Sequence, residues 1–123
     1  MDAEDLGLRI GLMRTQVKDA KQANAAAKAA RSAEKYRRME YRGLRDRFCT
    51  LLEWPDGDPK EIQELAAKLQ SAKVLLSGAM NDKALAEARK EMVEDAFDAA
   101  VERFAYEAAR TEQARKTTAR SSG

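Results

Sequence analysis

The chain has 123 residues, a formal net charge of +2, 36% charged residues, one cysteine and no histidine. Of its 54 hydrophobic residues 24 are alanine, and Leu, Ile, Val and Phe together number 20, which is low for a compact multilayer domain. The length fits one domain, the missing histidine excludes Ser-His-Asp and Cys-His catalysis and His metal ligands, and Ala, Leu, Lys, Arg, Glu, Gln and Met favour helix over disorder.

The elements follow in chain order. Asp2, Glu4 and Asp5 place carboxylates at the positive pole of a first helix, predicted over residues 3–53. Its apolar positions Leu6, Ile10, Met13, Val17 and Ala20 pass through an alanine stretch to Tyr41, Leu44, Phe48 and Leu51. Steps of three and four mark a seam along one helical face, and strand alternation is absent. Gly7 and Gly11 form a GxxxG pair suited to a tight helix crossing, and Gly43 marks a bend or a close contact.

The two prolines, Pro55 and Pro59, bracket Asp56-Gly57-Asp58 and make the one strong break, a turn at residues 54–58. Asp58 caps the second helix, Pro59 suits its first position, and Glu61 stands where it completes a capping box. This helix is predicted over residues 59–115, with Ile62, Leu65, Leu69, Ala72 and Leu76, then a polar gap, then Val93, Phe97, Ala100 and Phe104 on its seam. Ser77-Gly78 followed by Asn81-Asp82 leaves open a break near residues 77–82. Residues 116–123 are expected to be a flexible basic tail. At 1.5 Å per residue each helix spans about 75–85 Å.

The expected fold is therefore all-α: a long, coiled-coil-like antiparallel hairpin, one domain over residues 1–115. An alanine-lined seam buries little area per residue, so a lone hairpin is marginal and assembly into a larger helical oligomer follows. Seam or oligomer contacts are expected at Leu44, Phe48, Leu51, Ile62, Leu65, Leu69, Phe97 and Phe104. Trp54 either packs on Ile62 and Leu65 to close the turn or stands out as an anchor for a partner.

Folding about the turn places position i opposite position 113 minus i. Arg14, Lys18 and Lys21 then meet the carboxylates Glu91, Asp95, Asp98 and Glu102, which zips the open end. Arg31, Lys35, Arg38, Arg42 and Arg45 fall on one face with Tyr36 and Tyr41 beside them, flanked by Arg37 and Arg47. Opposite lies 66–81, with Lys68 and Lys73 and no carboxylate. Beyond, Glu53, Asp56, Asp58, Glu61 and Glu64 make the tip acidic. An uncompensated cation row is either a phosphate-tracking surface or a solvated or inter-subunit face whose arginine stems cover alanines.

Other chemistry finds no footing in the sequence. No GxGxxG or GxxxxGK[ST] occurs, and di-metal helical bundles use Glu-x-x-His pairs, which need histidine. A lone Cys49 makes neither an intramolecular disulfide nor a thiolate metal site. The sequence has no signal-peptide pattern, and its cysteine usage fits a reducing compartment, so the expected location is cytoplasmic or intracellular, or within a viral particle. No apolar run reaches the ~20 residues that cross a bilayer.

The Trp54-Pro55-Asp56-Gly57 turn departs from the secreted hairpins that turn at Trp-x-Gly, since two residues separate Trp54 from Gly57 and Tyr106 is followed by Arg110. In general form, a helical hairpin with a basic band, the chain resembles the oligomerising cores of viral DNA-packaging small terminase subunits, a likeness of architecture alone. The expected function is a non-enzymatic, self-assembling structural or adaptor protein acting on homo-oligomer or other protein partners, with no cofactor, metal, small-molecule substrate or membrane insertion. The alternative is an oligomeric nucleic-acid-binding accessory subunit that uses Arg31, Lys35, Arg38, Arg42 and Arg45.

Overall fold

A computed structural model describes residues 2–122 as two helices, α1 (Ala3–Glu53) and α2 (Pro59–Ser122), packed against each other as a hairpin. Both ends that start a helix carry a side-chain cap. Asp2 Oδ1 accepts from Asp5 N–H at 2.7 Å, and Asp58 Oδ1 accepts from Lys60 N–H at 3.1 Å. These satisfy amides that the first helical turn leaves without partners. Among the described residues Glu61 does not return to the Asp58 N–H, so the expected capping box is only half made.

At the turn, Gly57 N–H donates to the Trp54 carbonyl at 3.2 Å. A Cβ at Gly57 would stand 2.9 Å from the Leu51 carbonyl oxygen and 3.4 Å from Ile62 Cδ1. Close approach, not a left-handed backbone, is what requires glycine there, because none of the described glycines has positive φ.

The structure answers one open question about α2 and corrects one expectation. The helix runs unbroken through Ser77, Gly78, Asn81 and Asp82. Glycine there costs about 1 kcal/mol against alanine, but buried Leu76 and half-buried Ala79 hold the backbone on either side of it. The helix also continues past Arg115 to Ser122 where a flexible tail was expected, although Gly123 lies outside the described residues. No proline or glycine interrupts 79–122. The hydroxyls of Thr111, Thr117 and Thr118 return to carbonyls four residues back, and Arg120 complements the negative pole.

The chain divides into two compact units, 25–88 and a terminal unit of 2–24 with 89–122. In the first, the inward positions of α1 are Ala27, Ala30, Glu34, Arg37, Tyr41, Leu44, Phe48 and Leu51. Those of α2 are Ile62, Leu65, Leu69, Ala72, Leu76, Ala79, Lys83 and Ala86. Ala27, Leu65, Ala72 and Leu76 are buried. In the terminal unit the inward positions include Met13, Ala20 and Ala23 on α1 and Val93, Phe97, Ala100 and Phe104 on α2; of these only Ala23 is buried. Strict steps of three and four give the 3.5-residue period of a coiled coil.

That period also places charged residues on the seam, where an apolar count misses them. Glu34, Arg37, Lys83 and Lys90 are all half-buried at seam positions, so the polar gap before Val93 is a continuation of the seam. Gly7, Gly11, Gly43 and Gly78 face open space, with no heavy atom within 4 Å of an added Cβ. The expected tight crossing at Gly7 and Gly11 is therefore not made among the described residues.

Candidate functional site

Cross-helix ion pairs fix the register. Arg9 pairs with Glu107 in the terminal unit; in the other unit Lys83 Nζ lies 3.0 Å from Glu34 and Arg31 Nε 3.8 Å from Glu87. Position i thus faces roughly 117 minus i, one helical turn away from the expected 113. The reason lies in the turn. Gly57 folds tightly back on the Leu51 carbonyl, and the first residues of α2 lie beyond the end of α1 at Glu53.

This shift rewrites the charge map of the 25–88 unit. The cation row is not wholly uncompensated: Arg31 reaches Glu87, Arg38 Nη2 holds Glu34 Oε1 at 2.5 Å, and Arg45 lies 3.9 Å from Asp46. Among the described residues Lys35 and Arg42 make no ion pair, and both are exposed. The tyrosines do not interleave with the row. Tyr41 turns into the seam, while Tyr36 is exposed under the Arg37 guanidinium at 5.6 Å. Arg37 itself pairs with Glu40 at 3.3 Å.

Glu34 is the centre of this network. Its side chain is 12% exposed and is bonded by Arg38 and Lys83, one on each carboxylate oxygen. The Arg38 hydrogen bond first, and the Lys83 bond after it, hold its carboxyl below the usual glutamate range. The cross-helix Glu34–Lys83 pair on this mainly apolar seam works against slipped pairings, because a one-turn slip separates the two charges.

The turn presents Trp54 outward. The residue is 65% exposed and lines a groove with Asp46, Arg47, Thr50, Leu51 and Glu61. Of its two expected placements, packed over Ile62 and Leu65 or standing out, the structure shows the exposed one. The acidic tip residues Glu53, Asp56 and Glu64 are exposed and unpaired among the described residues.

In the terminal unit the expected zipper does not form. Arg14, Lys18 and Lys21 are exposed, as are Glu91, Asp95, Asp98 and Glu102, and no ion pair joins the two sets among the described residues. The reason is angular. Arg14 and Lys21 follow the seam residues Met13 and Ala20 by one position, and Glu91 and Asp98 follow Lys90 and Phe97, so all four turn outward. Arg9 is the missed residue: it sits inward and bonds both Asp5, at 3.3 Å, and Glu107. Only its three- and four-residue spacing to Met13 and Gln16 signals this.

Leu44, Phe48, Leu51, Ile62, Leu65 and Leu69 lie on the seam of the 25–88 unit, and Phe97 and Phe104 on that of the terminal unit. Outside the seams large apolar side chains stay exposed, among them Leu8, Leu12, Met39, Val74, Leu85 and Met92. No cluster of three Asp, Glu or Cys able to hold a metal occurs among the described residues, and none of the described helices is long and apolar enough to cross a membrane. No protein-family model, curated protein or solved structure matches the chain.

Proposed function

We propose that this protein is a non-enzymatic, self-assembling helical structural or adaptor protein that acts through protein–protein contacts. One observation carries this reading: among the described residues no large side chain is fully buried, while fourteen large hydrophobic side chains are exposed along both helices and the turn. Two helices alone cannot cover more than one stripe of each, and uncovered apolar area of this extent is typical of surfaces that meet a partner. At about 25 cal/mol per Å² of apolar surface removed from water, copies that cover these side chains gain what the thin seam does not supply.

Light scattering at tens of micromolar tests it. A mass of two or more chains with full helicity by circular dichroism is expected. A strict monomer with the same helicity overturns the proposal.

A nucleic-acid-binding accessory role is favoured by a narrower observation, the exposed and unpaired Lys35 and Arg42 on one face. It requires duplex binding that weakens steeply with salt and with charge reversal at those two positions. Binding that survives the reversals, or its absence at low salt, removes it.

A further inference from the structure

The row Arg31, Lys35, Arg38, Arg42, Arg45 does not stop at its last cation. The same steps of four and three carry it on to Cys49 and Leu52, and it ends beside Glu53 and the turn residue Asp56. All four residues of this extension are exposed, Leu52 at 57%. One face of the 25–88 unit is therefore polar in the electrostatic sense: cations at 31–45 with the single anion Asp46 beside the last of them, a small apolar step at 49–52, and anions at 53–56.

Local structure leaves the two ends of this face unsatisfied. Glu53 sits in the last turn of α1, a turn with no basic residue, so its carboxylate meets the negative pole of its own helix. Asp56 does not cap α2, which Asp58 does. Arg42 has no ion pair among the described residues, and Arg45 reaches only its neighbour Asp46 at 3.9 Å.

We infer that a second copy of this chain covers this face, antiparallel and related by a two-fold axis at Cys49, so that Arg42 of each copy meets Asp56 of the other and Arg45 meets Glu53. In an antiparallel helix pair the facing positions have a constant sum, and an axis at Cys49 pairs 42 with 56 and 45 with 53. Both charge pairs are then made twice, as self-complementary association requires. Leu52 of each copy falls opposite Asp46 of the other, flanked by Cys49 and the aliphatic stem of Arg45. Trp54 is no part of this contact, since it lines the groove with Arg47 and Glu61 instead. A nucleic acid would use the cations of this face and find Glu53 and Asp56 repulsive, so a second copy fits the whole face better.

This inference rests on the self-assembly proposal, and the native cysteine tests it separately. The intact protein is oxidised with diamide at low micromolar concentration. The expected product is a Cys49–Cys49 disulfide dimer, with a yield at least fivefold above that of a Cys49→Ala/Met39→Cys control and suppressed by 0.5 M salt. Arg42→Asp or Asp56→Arg alone, each with unchanged helicity by circular dichroism, should lower the cross-linked fraction at least fivefold, and the double variant Arg42→Asp/Asp56→Arg should restore it. An oligomer by light scattering whose Cys49 does not cross-link, or whose mass and cross-linking ignore both reversals, overturns this interface and leaves self-assembly standing. A strict monomer overturns both. Loss of duplex binding in Arg42→Asp with unchanged mass and cross-linking makes the row a phosphate surface and also overturns the inference.

Discussion

The 25–88 unit and the terminal unit follow the same hairpin rule with different materials. The first buries Leu65, Ala72 and Leu76 on α2 and Ala27 on α1, and segregates its charge into a basic row and an acidic tip. The terminal unit buries only Ala23 and mixes eleven cations with eleven anions along its surface. Its seam includes Gln16, whose Oε1 is buried without a hydrogen-bond partner among the described residues. Burial makes the first unit the stable end, and charge segregation makes it the end with a directional surface. In the terminal unit charge does little for either purpose, because exposed pairs contribute about 0–1 kcal/mol.

The largest expected effect probes this difference directly. Leu76→Ala or Leu65→Ala should destabilise the protein by about 3 kcal/mol in chemical denaturation followed by circular dichroism, and Phe104→Ala in the terminal unit by less. Equal losses would erase the contrast between the units. Amide exchange should agree, with the amides of 62–76 exchanging last.

Gly57→Ala comes next. The added methyl meets the Leu51 carbonyl at 2.9 Å, so a loss of about 1–2 kcal/mol is expected in the same melt, while Gly43→Ala, which faces open space, should stabilise α1 by up to about 1 kcal/mol. A neutral Gly57→Ala would mean that the turn does not set the register.

Gln16→Leu should raise stability by about 1 kcal/mol, since it removes a buried acceptor without a partner and adds apolar contact. A lower melting temperature would show that the amide has a partner in solution.

The smallest effect is a pH dependence. Because Glu34 has its carboxyl lowered in the folded chain, its contribution is complete above the ordinary glutamate range. That contribution is lost as pH falls through the depressed value. Glu34→Gln should flatten the melting temperature between pH 6 and 3 relative to the parent (about one group's worth of titration). An unchanged slope would place the acid sensitivity elsewhere.

Local chemistry made much of the fold readable. Pro55, Pro59 and Gly57 mark one turn, Asp2 and Asp58 mark two helix starts, and apolar residues at three- and four-residue steps mark one seam. These are signals within a few residues of each other, so no partner is needed to read them. Gly78 and Asn81 misled for the same reason: their local preference for a break is weak, and contacts made by Leu76 and Ala79 override it. The candidate face was half legible. The spacing of Arg31 to Arg45 showed a row, but not which members were already bound.

By itself, then, the sequence determined two helices, where they turn and which stripe of each is apolar, because capping, proline geometry and helical periodicity act locally. The tertiary structure alone decided the register, and with it every long-range charge partner. A displacement of one turn leaves the apolar stripe facing inward but exchanges the residues across it, so Glu34 finds Lys83 and Arg31 finds Glu87. Alanine does not discriminate between such registers, since its methyl fits any of them. The charged seam residues and the close fold at Gly57 do.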